Sequence, residues 1–142
     1  MTWDGPDLAH PARVAARKSM DAVRRRAKDE WVALFAEDGV VEDPVGVSMF
    51  DPVGAGHRGH DAIAAFWDKT IAISARLEFD VRDSFAAGDE VANVGTISAF
   101  LPDGSRVDTE GVFVYKVGAD GLIVSMRAFW ETERAMATLR KE

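Results

Sequence analysis

Two β-rich runs, residues 90–101 and 106–117, are separated only by Pro102-Asp103-Gly104-Ser105. Proline presets a turn and Asp-Gly supplies its positive-φ corner, so the two runs must fold back on each other as an antiparallel hairpin. A second turn, Gly118-Ala119-Asp120-Gly121, hands the chain to a further strand over residues 122–132. Leu77, Phe79 and Val81 alternate with charged residues and place another strand ahead of the pair. The C-terminal half is therefore an antiparallel meander with one face to be covered by whatever precedes it.

Before the meander the apolar period changes to that of helices. Residues 11–28 read as a helix, with Pro11 in its first turn and Val14, Met20 and Val23 as a thin apolar stripe. A second helix over residues 29–35 carries Trp31, Leu34 and Phe35, and is expected to end near Glu37-Asp38-Gly39, with Gly39 as a left-handed cap. Residues 40–44 form a short strand that Pro44 stops. Residues 45–59 hold Gly46, Pro52, Gly54, Gly56 and Gly59, a loop long enough to suggest a functional role. A third helix spans residues 61–74, with Ile63, Phe66, Trp67 and Ile71 on one face. Residues 133–142 read as a helical or frayed tail. The expectation is one α+β domain over residues 1–142, its N-terminal helices packed on a curved, mainly antiparallel sheet.

Charge and composition narrow the partners. A net charge of -7 repels a phosphate backbone, so no nucleic acid is expected. The one basic cluster, Arg24-Arg25-Arg26 with Lys28, reads as a solvated helix face. The absence of cysteine removes disulfides, thiolate metal sites and a cysteine nucleophile, and fits a cytoplasmic protein. The N-terminal residues carry Asp4 and Asp7 and no apolar run, so no signal peptide is expected. No stretch approaches the roughly 18 apolar residues of a membrane span. His57 and His60 stand three apart in the glycine-rich loop without a third ligand, so no metal is expected.

Residues 34–46, Leu-Phe-Ala-Glu-Asp-Gly-Val-Val-Glu-Asp-Pro-Val-Gly, closely resemble the segment of the ketosteroid isomerases that carries the catalytic base. Residues 59–67, Gly-His-Asp-Ala-Ile-Ala-Ala-Phe-Trp, resemble that family's third helix. The stretch from Gly121-Leu122-Ile123 through Met126, Ala128 and Trp130 resembles its last strand. The chain is thus identified as a member of the ketosteroid isomerase-like, nuclear-transport-factor-like and SnoaL-like superfamily, which implies a cone-shaped α+β barrel around an apolar pocket. The resemblance also implies a small hydrophobic, steroid-like ligand, no cofactor, and a homodimer.

Carried over residue by residue, the resemblance makes Asp43, which follows Val41-Glu42 and precedes Pro44, the proton-transfer base of a double-bond shift next to a carbonyl. The family's oxyanion hole uses a tyrosine on the first helix and a protonated aspartate on the penultimate strand. In this chain those positions fall on Ser19 and Phe113, and neither replaces a phenol or a carboxylic acid as donor. Tyr115, the single tyrosine, lies two residues beyond Phe113 and shares its strand face, so it is either a displaced donor or a core tyrosine. Thr96 and Ser98 share one face of the preceding strand, either toward a ligand or on the sheet surface. Phe66, Trp67, Phe113 and Trp130 are expected to wall the pocket, with Val23, Gly111, Met126 and Ala128 completing the lining. Glu110 has the strand parity opposite to Phe113 and faces away. The missing donors leave a binder of hydrophobic ligands without turnover as one alternative. A polyketide cyclase, dehydratase or epoxide hydrolase on the same fold is another, since a fold does not fix the chemistry.

Overall fold

A computed structural model describes all 142 residues. Its elements are β1 (Thr2–Trp3), α1 (Pro11–Arg24), α2 (Lys28–Ala33), β2 (Phe35–Glu42), β3 (His57–Arg58), α3 (His60–Lys69), β4 (Arg76–Ala87), β5 (Glu90–Phe100), β6 (Ser105–Val117), β7 (Ile123–Phe129), α4 (Thr132–Met136) and β8 (Arg140–Lys141). The strands form one curved, unclosed sheet in the order β1-β4-β5-β6-β7-β2-β3, with β8 added to β6. From β4 to β7 every neighbour is antiparallel, as the turns dictate. β2 joins β7 in parallel and β1 joins β4 in parallel. The fold is α+β. No helix is long and apolar enough to cross a membrane.

α1 lies across β4, β5 and β6. Pro11 opens it, and His10 Nδ1 accepts from the Ala12 N–H at 3.1 Å, satisfying one of the free amide groups of the first turn. The buried stripe is Ala12, Ala16, Met20 and Val23 at four- and three-residue spacing, with Ala15 and Ala22 beside it. Val14, expected in that stripe, is exposed. Small alanines let the helix approach the sheet closely. The basic cluster is solvated as expected: Arg25 pairs with Asp21 and Glu30, and Lys28 with Asp68, all at exposed positions where ion pairs add little.

Three local expectations change. Helix α2 stops at Ala33 and Phe35 already belongs to β2, where it pairs with Ile123 and is buried. The pairing energy of a central strand overrides the helical period. Gly39 is consequently no helix cap. It sits inside β2, where a Cβ would meet the Ile123 carbonyl oxygen at 2.9 Å, so close approach of two strands demands glycine there. Helix α3 ends at Lys69, where Thr70 Oγ1 donates to the Phe66 carbonyl at 2.7 Å, and a 3-10 turn over Ile71–Ile73 takes up the rest of the expected helix.

The core gathers around Trp31, which is buried against Phe35 (ring centroids 5.0 Å apart) and Trp67 (5.4 Å). Gly95 and Gly111 face each other across β5 and β6. A side chain at Gly95 would run into the Asp80 carbonyl oxygen, and one at Gly111 into the Phe129 carbonyl and the Trp130 Cβ. These two glycines let β4 and the end of β7 fold inward over the middle of the hairpin. Replacing Gly95 by alanine is expected to lower stability by about 1–3 kcal/mol through this overlap. Denaturant unfolding checks it, and an unchanged midpoint would mean that β4 yields freely at Asp80.

Candidate active site

Strand parity decides what faces the concave side. Leu77, Phe79 and Val81 of β4 point inward, as do Asn93, Ile97 and Ala99 of β5, and Val107, Thr109, Phe113 and Tyr115 of β6. Met126 of β7 and Trp130 just beyond it close one side, and Ser19, Met20 and Val23 of α1 close the other. Together they enclose a cavity of about 330 Å³ walled mostly by apolar side chains. One end lies among buried residues, Tyr115, Ser19 and Trp31. The other reaches Ile73 and Met136, which are exposed. That size and lining suit a small apolar molecule held by few polar groups.

Asp43 follows the end of β2 and lines this cavity. Its Oδ1 accepts from Trp130 Nε1 at 2.6 Å. Burial pushes the Asp43 carboxyl above its ordinary value, and the Trp130 hydrogen bond pulls part of that back. The chain reaches this geometry because β2 pairs in parallel with β7, in a register that sets Glu42 beside Arg127 and brings Asp43 alongside the last residues of the sheet.

Tyr115 is buried, and its hydroxyl lies 3.3 Å from Ser19 Oγ. Ser19 Oγ also accepts from Trp31 Nε1 at 2.9 Å. Burial pushes the Tyr115 phenol up to about 12, the Ser19 contact opposes the rise, and the Asp43 charge adds to it. The first helix and the penultimate strand therefore still supply one phenol at the buried end of the cavity. It comes from the strand, and a serine holds it from the helix.

The remaining expected positions divide. Val23, Phe66, Phe113, Met126 and Trp130 line the cavity. Trp67 and Ala128 do not; both are buried in the core behind it. Gly111 does not line the cavity either; it lies where Phe129 and Trp130 pack closely on β6. Of the two positions left open on β5, Thr96 borders the cavity and Ser98 does not. The inward set on β5 is Asn93, Ile97 and Ala99, and the hydroxyls of Thr96 and Ser98 turn to the other face. There Thr96 Oγ1 accepts from Arg82 Nη1 at 2.9 Å, and Ser98 Oγ donates to Asp108 Oδ1 at 2.7 Å. Glu110, on the same outer face, pairs with Arg82 and Arg134.

Neither loop histidine lines the cavity. The His57 ring packs on Phe66 at 4.9 Å and burial pushes its pKa down, while His60 Nε2 contacts the Phe35 carbonyl at 2.8 Å. The long loop is organised by Asp51, whose carboxylate accepts from the amides of Gly54 at 3.1 Å and Gly56 at 2.8 Å. It sends Phe50 to the cavity wall. Asn93, Trp31 and Phe50 are lining residues that the sequence reading did not single out. For Asn93 a signal existed, because it faces Phe113 directly across the ladder.

Residues 16–126 match the family described as SnoaL-like domain. A steroid delta-isomerase of Nocardioides simplex is 29% identical over 123 residues, covering 87% of this chain and 92% of the relative. The structure of a delta 5-3-ketosteroid isomerase from Mycobacterium sp. superposes with a TM-score of 0.83 at 32% identity, covering 94% of this chain and 100% of the other. A Mycobacterium tuberculosis protein in complex with estradiol-17beta-hemisuccinate has a TM-score of 0.83 at 33% identity, covering 93% of this chain and 99% of the other.

Because Tyr115 is the single tyrosine, alkaline absorbance titration near the tyrosinate band reads it alone. In the folded protein its midpoint is expected near 12, against about 10 for a free phenol. Ser19→Ala removes a contact that favours the phenolate and should move the midpoint up. Asp43→Asn removes a charge that opposes the phenolate and should move it down. A midpoint near 10 in protein still folded would contradict the burial of this hydroxyl.

Proposed function

This chain belongs to the SnoaL-like domain family, and we propose that it shifts a double bond next to the carbonyl of a steroid-like ketone, with Asp43 as the base. The observation that carries this reading is the placement of Asp43. It is a carboxylate at the wall of an apolar cavity, with a raised pKa and one indole N–H fixing one oxygen. A carboxylate whose pKa is raised takes a carbon-bound proton more readily than an ordinary one.

The enolate oxygen then needs a donor. Trp31 Nε1 can only donate, so it occupies an acceptor site on Ser19 and leaves the Ser19 hydroxyl proton for Tyr115. Tyr115 in turn keeps its own O–H for the ligand oxygen. In this arrangement the tryptophan–serine–tyrosine chain takes the place of the helix tyrosine, and Phe113 leaves the second donor unfilled. One preorganised donor instead of two lowers the expected rate, because a donor of this kind contributes about 10²–10³-fold. The relatives named as steroid isomerases support the choice of substrate class.

Phe113 also favours a second reading, a binder of steroid-like molecules that does not turn them over. Growth of conjugated enone absorbance from a 5-ene-3-ketosteroid separates the two. Turnover is expected in the wild type, falling about 10²–10⁴-fold in Asp43→Asn and about 10²–10³-fold in Tyr115→Phe, the latter chiefly in kcat. No turnover above buffer with the steroid still bound would sink the isomerase and leave the binder.

The same reading carries a cytoplasmic homodimer joined through the outer face of the sheet, where Phe85 and Phe129 stand exposed. Light scattering of the purified protein should give twice the chain mass, and a monomer at micromolar concentration would exclude it.

A further inference from the structure

Asn93 is buried to 2% exposure at the cavity wall, and neither its Oδ1 nor its Nδ2 finds a hydrogen-bond partner in the protein. The polar groups around it are matched. Ser84, its neighbour across the β4–β5 ladder, accepts from Arg13 Nε at 2.9 Å and from Arg13 Nη2, through its carbonyl, at 3.2 Å. Ser19 is matched by Trp31 and Tyr115. A buried amide left unmet destabilises a fold, and an apolar residue of similar size would remove that penalty. Its neighbours on the same strand face include Val91 and Ile97, so an apolar residue would suit the position. A residue that weakens the core yet sits on the wall of a binding cavity is explained if its partner is the ligand.

We infer that Asn93 is a second polar anchor of the cavity, and that the ligand is an apolar ring system bearing two neighbouring oxygen functions at its buried end. This rests on the reading of the cavity as a steroid-like site. The placement follows from strand register. Asn93 is directly opposite Phe113, and Val91 is directly opposite Tyr115, so Asn93 and Tyr115 are diagonal neighbours. Such neighbours stand about 7–8 Å apart at the backbone, within reach of one end of a single ligand. Tyr115 receives the first oxygen. The amide offers one donor group and one acceptor, which a hydroxyl on the adjacent carbon satisfies together, accepting from Nδ2 and donating to Oδ1. The terminal amide torsion is soft, so turning it toward the ligand costs little. A ligand with a lone ketone or phenol leaves this amide as unmatched as it is now.

Binding of estradiol, 2-hydroxyestradiol and 4-hydroxyestradiol, followed by tryptophan fluorescence, tests this in the full-length protein. Wild type is expected to bind one of the two vicinal diols at least about tenfold more tightly than estradiol. Asn93→Leu should erase that preference, the readout being the ratio of diol to estradiol affinity, which a change of wall shape common to all three steroids leaves unmoved. Unliganded Asn93→Leu should melt no lower than wild type, because no protein hydrogen bond is removed and the cavity beside it takes the extra bulk. Equal affinity of wild type for all three steroids overturns the inference while leaving the cavity as a steroid site. Retention of the preference in Asn93→Leu overturns it as well. A fall in Tm of about 5 °C or more would show that the amide holds the fold instead of the ligand. Failure of all three steroids to bind overturns the cavity reading and this inference with it.

Discussion

Trp31 holds the molecule together at the point where the helices meet the sheet. Its ring is buried against Phe35 and Trp67, and its indole N–H has to be met where water cannot reach. Leaving that group unpaired would cost about 1–3 kcal/mol. Ser19 supplies the acceptor at 2.9 Å and, 3.3 Å further on, touches Tyr115. One line of polar contacts therefore ties α2 to α1 and α1 to β6 at the buried end of the cavity. A hydroxyl pair at 3.3 Å is long, so the Tyr115 end of the line is the loosely held one, which leaves its proton available to a ligand oxygen.

The cavity exists because the sheet bends, and the sheet bends where glycine removes the obstacles. Gly95 and Gly111 sit opposite each other, and the two backbones that press on them belong to β4 and to the segment carrying Trp130. Trp130 is thereby swung over the cavity to donate to Asp43. The same desolvation then acts on both titratable groups of the site. It raises the carboxyl of Asp43 and the phenol of Tyr115, which leaves a stronger base at one place and a proton that stays on oxygen at the other. A pair of groups driven in this way suits the proposed proton transfer, and an apolar wall produces it without any added charge.

Much of this was legible in the chain itself. The turns at Pro102-Asp103-Gly104 and Gly118–Gly121 dictated the meander, and the residues from 34 to 46 pointed to Asp43. Helix α1 was legible in extent at its start, but its buried stripe ran through Ala12 and Ala16 and not through Val14, because alanines are weak signals in a hydrophobic period yet allow the closest helix–sheet contact. The end of α2 was misjudged because Phe35 continues the helical spacing while its real partner, Ile123, is far along the chain. The face of Thr96 and Ser98 stayed open in the chain, and their hydroxyls turn outward, since inward parity on β5 is set by the register with Phe113, and alternation alone does not say which set is inside.

The sequence by itself determined the element order, the antiparallel pairing and the candidate carboxylate at residue 43, because turns, apolar periods and a contiguous segment are local properties of the chain. The tertiary structure alone decided that Tyr115 reaches Ser19, that Trp130 bonds Asp43, and that Asn93 is left unmatched at the cavity wall. Each of these joins residues far apart in the chain or depends on the sheet's register and curvature. Those are set by long-range pairing and by the close approaches at Gly95 and Gly111, which no local pattern records.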